Sequence, residues 1–423
     1  MITANRMKAI AKKALPEVVI RGYHFAIAFF GAVFCGFPSR KLKVIGVTGT
    51  NGKSTTALMI VKILKEAGHK TALSSSIEFE IGGKTWQNRS RMTMPGRFAL
   101  QKFLRQAVAA NCRYAVVEVS SEGIKQHRHR FIDFEAAVIT NVTPEHIESH
   151  GSFENYLAAK GKLFAACRKI HVSNGDDANY DFFAKFAAAK KYVYGINFGA
   201  AADAIDIVRA RDAKTFLSGS SFEIDGREFN LKLPGKFNIH NALAAVCVAR
   251  SQGVGLDICQ KALKKMETVS GRMERVLFDP FAVFVDYAVT PDSLEKAYQT
   301  IKDGIGAGKL ICVLGSCGGG RDRWKRPVMG GLAKQYCDRV IVTNEDPYDE
   351  DPEAIIDQIA AAAEGSEKIA DRREAIRKAL GYAHAGDAVL ITGKGCEDSM
   401  CVAGGKKITW SDKAAVLEEF SKK

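Results

Sequence analysis

No C-x-x-C pair occurs among the ten cysteines, and the closest pairs, Cys312/Cys317 and Cys396/Cys401, lack the spacing of a zinc site. The expected state is free, buried thiols in a reducing cytosol. No apolar run is long enough to span a bilayer: the clean stretch 25–37 holds 13 residues, against about 20 for a membrane-crossing helix. No small-residue cleavage site follows it, which argues against a secretory signal. There is no basic repeat interleaved with aromatics and no nucleic-acid motif, so nucleic acid is not an expected partner. Internal repeats and long disordered linkers are also missing. What remains is 423 residues of ordinary α/β composition, enough for two or three domains with large cores.

Acidic residues are scarce where the chain begins. Residues 1–43 hold Arg6, Lys8, Lys12, Lys13, Arg21, Arg40, Lys41 and Lys43 against Glu17 alone, which is half of the net +14 in a tenth of the chain. Such charge suits an anionic partner, either a membrane surface or a polyphosphate ligand. Residues 1–17 read as a basic helix, and 18–37 as an apolar, aromatic one interrupted by Arg21 and His24. We expect 18–37 to dock on the domain that follows, in preference to lying on a membrane. The basic flanks keep membrane-surface contact through 1–43 open.

The chain is organised around 44–56, VIGVTGTNGKSTT. Val44, Ile45 and Val47 form a β-branched run, Gly49 and Gly52 follow, and a helical pattern begins at Lys53. A strand, a glycine-rich loop and a helix in that order curl backbone N–H groups around a phosphate, with the helix N-terminus behind it. Gly49, Thr50, Asn51, Gly52, Lys53, Ser54 and Thr55 are the candidate ATP-binding residues. Lys53 can reach the outer phosphates and the Ser54 hydroxyl can bind Mg²⁺. The spacing departs from the usual phosphate loop, because Val47 stands five before Gly52. A plain Gly/Thr/Asn turn is the competing reading.

From 43 to 268 strands alternate with helices, with strands at 44–47, 114–119, 136–140 and 169–172 and a hairpin around Asp225-Gly226. A second α/β unit, 269–423, has strands at 282–285, 310–314, 339–342 and 388–391, and 360–363 reads as helix. The fold class is α/β, with segment 1–42 placed before the two units.

Polar residues gather at strand ends, where open parallel sheets bind ligands. Glu118 ends the strand at 114–119 and is either a Mg²⁺ ligand or a strand-end cap. His146 and His150, in TNVTPEHIESHG, are spaced i, i+4 as if on one helical face. Lys160 lies ten residues further on, where a helix-face lysine is ordinarily solvated. Arg272 follows Gly271 and can stabilise phosphoryl charge, and Asp286 ends a strand. The segments 317–327, 344–352 and 393–397 each follow a strand and are expected to share one sheet edge, with Arg321 and Glu397 holding the two ends of an amino acid.

GTNGKST, EVSS, TNVTPEHIESHG, AAKGKLF, GKFNIHNALAA, VSGRMERV, VDYAVTPDSLE, GGGRDRWKRP and GKGCE occur in this order between 43 and 420. Together they resemble the Mur ligase family, nearest its MurE type, which extends a UDP-N-acetylmuramoyl dipeptide. The resemblance implies a P-loop-type central ATPase domain followed by a Rossmann-like C-terminal domain, with ATP and Mg²⁺ as cofactors. It assigns Lys53 and Ser54 to the phosphate loop, and Ser54, Glu118, His146 and Lys160 to the metal, with Lys160 carbamylated. Asn241, Asp286 and Arg272 become nucleotide contacts. Ser121, Gln126 and Arg128 hold the muramyl peptide, and Arg321, Gly393 and Glu397 the amino acid. Lys53, Lys160 and Arg272 are the catalytic candidates.

Departures fall where substrates are read. The family's UDP-binding domain has no counterpart in 1–43. The D-N-P-R loop is Glu345, Asp346, Pro347, Tyr348 here, without the arginine that grips a carboxylate. Val289, Glu122 and Cys396 replace usual histidines, and Gly320 an aspartate. The implied activity is an ATP-dependent amide ligase, cytoplasmic or peripheral to the inner membrane face. It joins an amino acid to a peptide-like carboxylate, with a lipid-linked acceptor as one option. A folylpolyglutamate-synthase-like ligase and a non-catalytic nucleotide-binding scaffold at the membrane surface are the alternatives.

Overall fold

The computed structural model describes residues 16–90, 92–199 and 204–422, so most of the basic helix expected at 1–17 lies outside it. The described chain forms two compact units. The first comprises Met1–Val142, Glu154–Val208 and Ala244–Cys259; the second comprises Thr143–Phe153, Arg209–Leu243 and Gln260–Lys423.

In the first unit, α1 (Glu17–Phe34) precedes β1 (Lys43–Thr48), α2 (Lys53–Glu66), β2 (Thr71–Ser74), β3 (Glu78–Ile81) and β4 (Lys84–Gln87). Then come α3 (Arg97–Ala109), β5 (Tyr114–Glu118), α4 (Ser121–Lys125), β6 (Phe134–Ile139), α5 (Phe153–Ala166), β7 (Ile170–Asn174), β8 (Lys190–Gly195) and β9 (Asp206–Arg209). The nine strands form one sheet in the order β4-β3-β2-β5-β1-β6-β7-β8-β9. From β2 to β8 neighbours run parallel, and β3 and β4 add an antiparallel edge. Central strands such as VIGV and YAVV are apolar on both faces because helices cover both faces. Register pairs Val47 with Glu118 and Thr48 with Ile139, so the segments leaving β1, β5 and β6 emerge side by side.

Helix α1 docks as expected. Ala28, Ala32 and Cys35 are buried, and a side chain at Gly31 would come within 3.3 Å of the Phe98 Cα. No helix among the described residues is long and apolar enough to cross a membrane.

In the second unit, β10 (Arg211–Phe216), β11 (Gly219–Ile224) and β12 (Arg227–Leu231) form an antiparallel meander. Its expected turn, Asp225-Gly226, has φ of 49° and 75°, the left-handed pair that suits a tight hairpin. Helix α6 (Lys236–Ser251) begins here and ends in the first unit. The main sheet has β13 (Glu274–Leu277), β14 (Ala282–Asp286), β15 (Leu310–Leu314), β16 (Arg339–Thr343), β17 (Glu367–Ile369) and β18 (Ala388–Thr392), ordered β13-β14-β18-β15-β16-β17. All neighbours are parallel except β13.

Period-two alternation splits its core. Phe284, Leu310, Cys312, Leu314 and Leu390 face α7 (Pro291–Ile305), α8 (Lys325–Tyr336) and α9 (Pro352–Ala360). Val283, Val285, Ile311, Val313 and Ile391 face α10 (Arg372–Tyr382) and α11 (Asp412–Phe420). Asp286 is level with Thr392 and Leu314 with Val342, so the three expected loops do leave one edge together. The helix expected at 360–363 ends at Ala360, because Ala362 and Ala363 turn back onto Ile359 and Ala360 with i→i−3 bonds.

Candidate active site

At the first unit's strand ends the glycine-rich loop is tied down from both sides. Thr50 N–H donates to the Asn141 carbonyl (2.8 Å), Asn51 N–H to Asn141 Oδ1 (3.0 Å), and Thr140 Oγ1 to the Asn51 carbonyl (2.6 Å). Gly49 has φ of 149°, and a Cβ there would lie 1.8 Å from Thr140 Oγ1. Only glycine lets the loop pass so close to β6. Lys53 Nζ donates to the carbonyls of Gly49 (3.1 Å) and Thr50 (2.8 Å).

Lys160 is not a solvated helix-face lysine. It is 1% exposed, donates to the Gly49 carbonyl at 2.7 Å and lies 4.2 Å from the centre of the Tyr156 ring. The Tyr156 hydroxyl meets Thr50 Oγ1 at 3.1 Å, so one turn of α5 braces the loop twice.

Glu118 is fully buried at the end of β5, and its Oε1 accepts the Ser76 N–H at 2.9 Å. Ser76 Oγ lies 2.8 Å from Ser54 Oγ. Cap and ligand are therefore compatible: a carboxylate and two hydroxyls converge beside the glycine-rich loop. That all-oxygen donor set fits a hard divalent cation such as Mg²⁺. Ser76 was not foreseen. It sits in a serine run after β2, a strand whose register against β5 could not be read locally.

Ser121 is buried at the start of α4 behind its N-cap Ser120, and Gln126 ends that helix. Arg128 donates to Gln126 Oε1 (2.8 Å) and to the Met94 carbonyl, and Arg97 Nε donates to the Gln126 carbonyl (2.8 Å). Of these candidate peptide contacts, Gln126 and Arg128 form one polar cluster with Arg97.

His146 belongs to the second unit. The i, i+4 helical face fails, because His146 has left-handed φ of 57° and the one-turn helix Ile147–His150 starts after it. What holds this segment is the loop carrying Arg321. Asp322 Oδ2 and Oδ1 accept the N–H groups of Ile147 and Glu148, each at 3.2 Å. Glu148 Oε1 accepts the Arg323 N–H at 2.9 Å, and buried Lys325 reaches Glu145 Oε1 at 3.2 Å. Burial pushes the Glu145 carboxyl up despite Lys325.

Also in the second unit, Asn241 is buried and donates to Asn238 Oδ1 at 3.1 Å. Arg272 lies 4.6 Å from the Tyr287 ring centre. Asp286 accepts the Met273 N–H at 2.5 Å; burial raises its carboxyl to about 6, with Arg272 opposing. Lys394 is fully buried and pairs with Asp346 Oδ1 (2.8 Å) and with Glu397. Glu345 is 3% exposed and its Oε2 has no hydrogen-bond partner. Its carboxyl is pushed up to about 7 by burial, with Lys394 and Arg372 pulling it down. A Cβ on Gly393 would lie 2.6 Å from that oxygen, so glycine there keeps the edge open to it. Arg321 is exposed at the same edge. Behind it, Arg372 forms a buried pair with Asp412 (2.8 and 2.7 Å) and donates to the Thr392 (2.7 Å) and Asn344 (3.2 Å) carbonyls. Neither residue stood out in sequence, since each sits in an ordinary charged helix.

Two families match most of the chain: Mur ligase middle domain over residues 47–249, and Mur ligase, glutamate ligase domain, over 271–395. The chain belongs to the Mur ligase family. This Mur ligase is 39% identical to a UDP-N-acetylmuramyl-tripeptide synthetase of Roseiflexus sp. (strain RS-1), over 95% of the chain and 82% of the relative. It is 40% identical to a UDP-N-acetylmuramoyl-L-alanyl-D-glutamate--2,6-diaminopimelate ligase of Syntrophomonas wolfei subsp. wolfei, over 89% and 78%. A solved ligase of that second name is 31% identical with a TM-score of 0.62, covering 90% of this Mur ligase and 78% of its own chain. A folylpolyglutamate synthase from Mycobacterium tuberculosis shares the fold at TM-score 0.70 over 87% and 91%, with 19% identity.

Proposed function

We propose that this Mur ligase is a MurE-type, ATP-dependent amide ligase that adds an amino acid to a muramoyl-peptide carboxylate in cell-wall precursor synthesis, in the cytoplasm. The convergence of Ser54, Ser76, Glu118, Lys53 and Lys160 at one strand-end edge carries this reading. It provides the Lys53 cation, two hydroxyls and a carboxylate where a triphosphate and its metal would bind, with Lys160 against the same loop. Mg²⁺, when bound, neutralises phosphoryl oxygens. The loop N–H groups and Lys53 hold the β- and γ-phosphates, and Ser54 and Glu118 orient oxygen ligands. Lys160, once carbamylated, and His146 are the further residues that would hold the metal. Asn241, Arg272 and Asp286 are the proposed nucleotide contacts, with Arg272 balancing charge on the transferred phosphoryl group.

The acceptor carboxylate attacks that phosphorus, ADP leaves, and an acyl phosphate results. The amine of the incoming amino acid then attacks the acyl carbon, and phosphate is expelled as the amide forms. Ser121, Gln126 and Arg128 position the acceptor. Arg321, Glu345, Gly393 and Glu397 position the amino acid, whose cationic group suits the unpaired Glu345 oxygen. With Tyr348 in place of an arginine, the fit to a second carboxylate is reduced. The altered acceptor reading extends to a lipid-linked muramoyl peptide as well as the UDP-linked one.

The test supplies ATP, Mg²⁺, amino acids and both acceptor forms, and follows phosphate release together with the amide by mass spectrometry. Coupled release that falls at least about 100-fold in Lys53→Ala is expected. No coupled product across the panel rejects the assignment. Glutamate addition to a folate in its place transfers it to the folylpolyglutamate class.

A further inference from the structure

Docking uses only one side of α1. The opposite side presents Val19, Tyr23, Phe30, Val33 and Phe34 to solvent, with Phe30 65% and Phe34 71% exposed. Val19, Tyr23, Phe30 and Phe34 recur at helical spacing, so they form a stripe. Phe98 of α3 extends it, its ring centre 5.5 Å from that of Phe34. Isolated exposed aromatics need no explanation, but a contiguous aromatic stripe does.

The surroundings are basic. Arg40 and Lys41 follow the stripe along the chain, and α3 contributes Arg97, Lys102 and Arg105 with no acidic residue. Lys125 and Arg130 border the loop on which Phe25 and Phe29 rest through Phe131, at 5.1 and 5.4 Å between ring centres. His127, in that loop, has its pKa lowered first by burial and then by Arg130, Arg21, Lys162 and Arg97, with no acid opposing them. An aromatic face framed by cations is the composition of a helix lying in a lipid headgroup layer, apolar side down. A second copy of the chain would bring the same cations against these, which like-charge repulsion disfavours.

We infer that the α1–α3 face is a docking surface for an anionic membrane, with the α1 aromatics entering the headgroup layer and the flanking cations pairing with lipid phosphates. The inference goes beyond the ligase reading and stands if that reading fails. It also joins the two sequence expectations: the helix docks on the protein with Ala28, Ala32, Phe25 and Phe29 and on lipid with the opposite aromatic stripe.

The full chain is sedimented with vesicles of phosphatidylcholine alone and of phosphatidylcholine with about 30% phosphatidylglycerol. Binding to the anionic vesicles only, weakened by salt, is expected. The double variant Phe30→Ser/Phe34→Ser should bind at least about tenfold more weakly, as should Lys41→Glu/Arg105→Glu, since each removes one of the two attractions. Their melting temperatures should stay near that of the parent chain, because the replaced side chains are exposed. No binding to anionic vesicles, equal binding to neutral ones, or binding untouched by the aromatic pair overturns the inference. So does a dimer in light scattering that the aromatic variant dissociates, which would assign the face to a second copy.

Discussion

Glycine 49 and glutamate 345 show how single positions carry the chemistry. At Gly49 the loop passes so near Thr140 that even one methyl group has no room. Gly49→Ala should displace the loop from Asn141 and cost about 1–3 kcal/mol, read by urea unfolding, with nucleotide affinity falling in calorimetry. Unchanged affinity would mean that the loop has another way to seat a phosphate. Glu345 is the reverse case, a buried acid with one oxygen left without a hydrogen bond. It holds its proton to about pH 7 in the folded chain, against 4.5 for the ordinary carboxyl. The folded state therefore binds more protons across that window, and stability falls as pH rises through it. The contribution is complete below the lower value and gone above the upper one, up to about 3 kcal/mol. Urea unfolding of the parent at pH 5 and pH 8 should differ more than that of Glu345→Gln. Identical pH dependence in the two would place the proton elsewhere.

Among elements, the reciprocal clasp between the one-turn helix Ile147–His150 and the start of α8 binds the His146 segment to the Arg321 loop. Asp322→Ala removes the two acceptors and should cost about 1 kcal/mol, with faster hydrogen exchange at the Ile147 and Glu148 amides. Lys325→Met leaves Glu145 buried without its partner and should cost more, about 3–5 kcal/mol. If both variants match the parent in exchange at those amides, the clasp does not hold the segment. Such contacts mark the boundary of what the sequence could disclose. The strand, glycine-rich loop and helix around Gly49, Glu118 at its strand tip and the Asp225-Gly226 turn were legible because each depends on residues adjacent along the chain. Asp322 with Glu148, Arg372 with Asp412, and Ser76 between Ser54 and Glu118 were not, since each pairing follows from register or loop closure across 22 to 175 positions. His146 misled for a related reason: i, i+4 spacing describes a helical face only if the first residue is helical, and its left-handed φ rules that out.

At the scale of the whole chain, two sheets each gather polar groups at the carboxyl ends of parallel strands, as open α/β sheets do. The phosphate-loop set belongs to the nine-stranded sheet, and the Glu345, Lys394 and Glu397 set to the six-stranded one. Assigning the triphosphate and its metal mainly to the first and the amino acid to the second makes the two affinities separable. Lys53→Ala should weaken an unreactive ATP analogue at least about 30-fold, as loss of a charge-assisted phosphate contact implies. Glu345→Gln should leave that affinity within about twofold while raising the KM for the amino acid, because the neutral amide keeps the shape but loses the charge that attracts an ammonium group. Calorimetry with the analogue and steady-state kinetics with the amino acid read the two effects independently. Collapse of nucleotide binding in Glu345→Gln would show that the amino-acid loops also shape the phosphate site, and the division of labour between the two sheets would have to be withdrawn.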